Sequence, residues 1–155
     1  MPWKITVRKA RQAKRQGKAP TTQAGEFVHE EIEEIRRGKH GARSPQQAIA
    51  IGLSKARRAG VKLPPPAKGR TSEAARTKAK RDLEKAKSGS TKPSSKRSKA
   101  RVRALKREPK SSVSRQALSK QARSAARRRR RATGKTRSSG RNGTRRSDQS
   151  KASPF

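Results

Sequence analysis

The chain has 155 residues, 46 Lys and Arg against 10 Asp and Glu, and a formal net charge of +36. Only 26% of its residues are hydrophobic and 2% aromatic, which excludes a core of the size that ordinary domains of about 45–50% apolar content build. Cysteine is absent, so disulfides, thiolate metal sites and thiol nucleophiles are excluded, and no apolar run approaches the ~20 residues of a membrane span.

The segment Met1 to Val7 has no apolar stretch of the secretory kind, and a cytoplasmic, nucleoid-associated location is expected. Trp3, Ile5 and Val7 alternate, a pattern that a short strand or the cover of a helical pair would equally satisfy. A helix is predicted over residues 26–37, where Val28, Ile32 and Ile35 fall on one face, glutamates lie early, Arg36 and Arg37 lie late, and Gly38 stops it. A second is predicted over 45–59. Ser44 is its N-cap, Pro45 its first residue and Gln47 the third position of a capping box; Ile49, Leu53 and Ala56 form its stripe, and Gly60 ends it. The two stripes suit a helical hairpin, which also offers a homodimer surface over residues 26–60.

Leu63-Pro64-Pro65-Pro66 is the expected domain boundary, because a proline run cannot continue a helix. Residues 1–66 carry a balance of +10 and residues 67–155 one of +26. The second part is low in complexity, rich in Lys, Arg, Ala and Ser. Helical propensity appears over 73–87, 96–107 and 114–132, but with so few apolar side chains these segments are expected to fold only on a polyanion. The fold class is therefore mainly α: a small helical hairpin followed by a long, largely disordered basic tail.

The five consecutive arginines Arg127, Arg128, Arg129, Arg130 and Arg131 are the densest charge in the chain. Like charges packed this closely call for a polyanionic partner, and nucleic acid gains free energy by shedding counterions onto them. Arg97, Arg101, Arg103, Lys106, Arg107, Arg123, Arg137, Arg141, Arg145 and Arg146 are the supporting phosphate contacts. Lys55, Arg57 and Arg58 are candidates for base contacts if the hairpin reads a groove. The connection from Gly38 to Ser44 is, however, longer than the usual helix-turn-helix turn of about 3–4 residues. With one Trp, two Phe and no Tyr, stacking on single-stranded bases is poorly supported.

No catalytic set, cofactor site or metal site is expected. Glu30, Glu31, Glu33 and Glu34 read as a solvated helix face or an internal partner for the basic tail, and His29 and His40 lack ligand spacing. Gly134-Lys135-Thr136 looks like the end of a phosphate-binding loop, but Arg129 stands where that loop needs its first glycine.

The stretch from Ser44 through Gln47-Ala48-Ile49-Ala50-Ile51-Gly52-Leu53-Ser54-Lys55-Ala56-Arg57-Arg58-Ala59-Gly60 to Pro64, preceded by His29 and Glu30, resembles a family of small basic bacterial proteins labelled plasmid-stabilisation or DNA-binding. The stretch from Arg103 to Ala126 looks like the tails of that group, and the whole tail is similar in composition to histone-like proteins. The charge pattern points to non-enzymatic, largely sequence-independent DNA binding, and the resemblance, whose label fits that reading, implies a nucleoid or plasmid setting. An RNA- or ribosome-associated protein and a partition- or antitoxin-type adaptor are the alternatives.

Overall fold

The structure, a computed structural model, describes residues 2–89 and 94–141, and side chains over 4–89 and 94–131. Its helices are α1 (Pro2–Arg15), α2 (Pro20–Arg36), α3 (Pro45–Arg58), α4 (Glu73–Lys87), α5 (Ser95–Lys106) and α6 (Arg115–Arg141), with a 3₁₀ turn at Ser111–Val113. There is no strand among the described residues, and the protein is mainly α-helical, as expected; the part expected as a long, largely disordered tail instead holds α4, α5 and α6. One compact unit runs to Leu118, and a second starts at Ser119, within α6.

Residues 3–7 belong to a helix. The inward face of α1 is made by Thr6, Ala10 and Ala13, all buried, with Val7 beside them, while Ile5 stays half exposed. The alternation of Ile5 and Val7 is therefore incidental, and the side chain of Trp3 lies outside those described. Gly17, with φ +68°, closes α1: the Lys18 N–H donates to the Ala13 carbonyl at 3.0 Å.

Helix α2 starts at Pro20, six residues before the predicted boundary. Proline at the first helical position has no N–H to leave unsatisfied, and the Gln23 side chain donates to the Lys18 carbonyl at 2.8 Å. Its buried face is Gln23, Ala24, Phe27, Glu31 and Ile35, rotated from the predicted stripe so that Val28 and Ile32 flank it. Helix α3 follows its predicted bounds to within one residue. Ser44 Oγ accepts the Gln47 N–H at 3.3 Å, and the Gln47 carboxamide accepts the Arg43 N–H at 2.6 Å, one residue outside the expected box. Its inner stripe is Ala48, Gly52 and Ala56. A Cβ on Gly52 would lie 2.7 Å from the Val28 Cα, so the α2 and α3 backbones approach as closely as glycine allows.

Two small cores result. Ala10, Ala24, Phe27, Ala56, Val61 and Leu63 form one, with Val7 and Leu53 packed on it. Ile35, Ala42, Ala48 and Val113 form the other, flanked by Ile32.

The second core crosses the expected boundary. Val113, 1% exposed, is an apolar residue in a polar stretch and plugs the α2–α3 end of the bundle. Nearby the Gly41 N–H donates to the Leu105 carbonyl at 2.8 Å, and a Cβ at Gly41 would collide with the Glu108 carbonyl. Helix α4, N-capped by Ser72, packs on α3 through buried Ala79 and Asp82. The proline run therefore separates two helices but not two units, because Asp82 and Val113 supply partners that residues 1–66 lack. The surfaces of α2 and α3 proposed for a second copy are largely covered within the chain: α2 lies between α1 and α3, and α3 between α2 and α4.

Candidate nucleic-acid interface

Helix α5 has six cations and no acid in twelve residues, and it buries none of them. Arg97, Arg101, Arg103 and Lys106 are exposed on it, and Arg107 is exposed at its C-terminal end. Helix α6 is N-capped by Ser114, whose Oγ accepts the Ala117 N–H at 3.2 Å, and holds eleven cations and no acid in 27 residues. Arg123 and Arg127 to Arg131 are all exposed. Arg137 and Arg141 belong to the same helix with their side chains outside those described, and Arg145 and Arg146 lie outside the described residues.

Five consecutive helical residues at about 100° each wrap the whole circumference within ~6 Å of axis. The arginine run is therefore a ring of guanidinium groups and not a stripe. A helix so ringed can meet phosphates on both walls of a groove, but cannot set all five on one strand.

Lys55, Arg57 and Arg58 are each tied to partners within the first unit. Lys55 Nζ lies 2.6 Å from Glu31 Oε2 and 2.8 Å from Glu34 Oε2. Arg57 is buried and donates from Nε to the Leu63 carbonyl at 3.3 Å and from Nη2 to the Pro64 carbonyl at 3.4 Å, pinning the strap after α3. Arg58 Nε meets Asp82 Oδ1 at 2.9 Å, while Ser54 Oγ donates to Asp82 Oδ2 at 2.6 Å. Burial pushes the Arg57 guanidinium below its ordinary value, against the nearby Asp82 carboxylate.

Glu31 is the least expected of these residues. Its side chain is 0% exposed, on the buried face of α2, where a solvated position was expected. His40 Nε2 stands 3.4 Å from its Oε1, and Lys39 reaches Glu34 Oε1 at 3.2 Å. Burial opposes the charged forms of both Lys55 and Glu34, yet ion pairing prevails: Glu31 and then Glu34 for Lys55, and Lys55 for Glu34. Lys55 is held above its ordinary value, and Glu34, with Lys39 added, below its own. Glu31, Glu34 and His40 place donor atoms within 4.8 Å of one another, as a cation site would. The Lys55 ammonium already lies against both carboxylates, so the cluster has an internal counter-ion.

Helix α1 is a further cationic element, with six cations and no acid in 14 residues, spread along the chain rather than run together. Among the described residues no helix is long and apolar enough to cross a membrane.

Residues 4–68 match the model of a family of unknown function (DUF6496), less than half of the chain. The match spans α1 to α3 and the strap that follows. No curated protein and no solved structure matches the chain.

Proposed function

We propose that this protein is a non-enzymatic DNA-binding protein that coats duplex phosphates with little regard to sequence, at a nucleoid or plasmid. The observation that carries this reading is the exposed cations of α5 and of α6, neither of which contains an acidic residue. Such a surface is balanced by a dense polyanion, and small Ala and Ser side chains between the cations let a helix approach a groove closely. The remainder of the folded unit that ends at Leu118 acts as the anchor.

The test is duplex binding across a salt series. With about 6–10 phosphates engaged, affinity should fall roughly 10³–10⁵-fold between about 50 and 200 mM salt, alike for unrelated sequences. A site preference that survives high salt would reject coating. Preferential retention of structured RNA in a competition would move the protein to the RNA-associated class.

A further inference from the structure

We propose that α1 carries a second, pre-ordered phosphate-binding face, formed by Lys4, Arg8, Arg11 and Arg15, that engages one strand of the DNA backbone. The inference rests on the DNA-binding reading above and adds to it a site in the folded unit.

These four residues fall at i, i+4, i+7 and i+11, one face of α1, and all are exposed. They look away from Thr6, Ala10 and Ala13, which bury the opposite face on α2. Together with Val7 and Gln12 they line one open depression of the surface. Among the described residues none of the four has a carboxylate within ion-pair distance, whereas Arg36, Lys39, Lys55, Arg58 and Arg76 each do. The five glutamates of residues 1–66 all lie on α2. Arg36 of α2, Lys55 and Arg58 of α3 and Arg76 of α4 are thus paired, while no carboxylate among the described residues reaches this stripe.

At ~1.5 Å per residue the stripe is about 16 Å long. One DNA strand winds around the axis as it rises ~3.4 Å per phosphate, so a straight stripe of this length stays beside about three of its phosphates, which the four long side chains can reach. Because α1 is already packed on α2, binding there orders only side chains. A membrane surface fits less well, since an interfacial helix must embed its apolar face, and that of α1 is spent on α2.

The experiment uses the full chain with Lys4, Arg8, Arg11 and Arg15 all changed to Gln, a residue of similar helix propensity. Against a duplex in a salt series, the log–log slope should become shallower by about 2–3, at roughly 0.9 per phosphate lost. The variant R8K/R11K/R15K should keep the parent slope, because the charges remain. In the parent, bound duplex should slow acetylation of Lys4 more than of Lys9, which lies off the stripe; this readout needs no substitution. A slope within about one unit of the parent's, or equal protection of the two lysines, overturns the site while leaving DNA binding by α5 and α6 intact. The same holds if the quadruple variant loses only binding to anionic vesicles or structured RNA. A parent chain with no salt-dependent duplex binding overturns this site and the broader reading together.

Discussion

Lys55 shows how one residue can be mistaken for a contact when it is a counter-ion. It sits on α3 among Arg57 and Arg58, in a run that reads as a basic patch. In the fold its ammonium compensates Glu31, a carboxylate with no exposure of its own. Removing the ammonium would strand that charge. Lys55→Met should cost about 3 kcal/mol, at the low end for a broken buried pair because Lys55 is itself 25% exposed. Adding Glu31→Gln should recover most of the loss, which chemical denaturation of the two variants would measure. If Lys55→Met instead melts like the parent but binds DNA more weakly, the residue belongs to the interface. The pairing also sets a pH window. Glu34 is held below its ordinary 4.5, so its contribution is present above that value and lost as pH falls through the lowered one. Lys55 is held above its ordinary 10.5, so its contribution is present below that value and lost as pH rises through the raised one. The melting temperature should therefore decline outside these two limits faster in the parent than in the Lys55→Met/Glu31→Gln variant.

At the scale of elements, the helices split by what they bury. Helices α2 and α3 meet over Gly52, where Val28 leaves no room for a side chain. Gly52→Leu should force them apart and abolish cooperative melting, while Gly60→Ala, a turn residue at φ +90° with open space around it, should cost only about 1 kcal/mol of backbone strain. Equal melting of the two variants would rule out the close approach. Helix α5, in contrast, buries nothing. Its amides should exchange much faster than those of α2 and α3 in the free protein, and slow when duplex is added. The existence of α2 and α3 and the Ser44 cap could be read from the sequence, because capping chemistry is local. Their inner faces were legible only at Ile35 and Ala56. Ala48 and Gly52 of α3, like Thr6, Ala10 and Ala13 of α1, complete the stripes, and in an Ala-rich chain small residues at helical spacing look like background. Periodicity counted the larger Val28, Ile49 and Leu53, which flank the contacts. Glu31 escaped because its partner lies 24 residues away, and the α1 stripe because charge was weighed by local density and not by face.

Across the whole molecule, charge density and folding do not change at the same place. The net charge rises after the proline run, but the bundle draws on later residues: Asp82 for Ser54 and Arg58, Val113 for Ile35 and Ala48, and the Leu105 and Glu108 carbonyls for the Gly41 loop. The tail is therefore in part a structural clamp. A fragment ending at Leu118 should melt cooperatively near the temperature of the full chain. One ending at Pro66 leaves the α3 surface that held Asp82 and the pocket for Val113 open to water. Losing Val113 alone, if it behaves like other large-to-small core changes, costs roughly 1–3 kcal/mol, and losing Asp82 leaves the Ser54 hydroxyl without its acceptor. For a unit whose total stability is of order 5–10 kcal/mol, both losses together should lower the midpoint by many degrees. Circular dichroism melts of the two fragments beside the full chain would measure this. If residues 1–66 melt like residues 1–118, the clamp contributes nothing, and the boundary returns to the proline run where the charge changes.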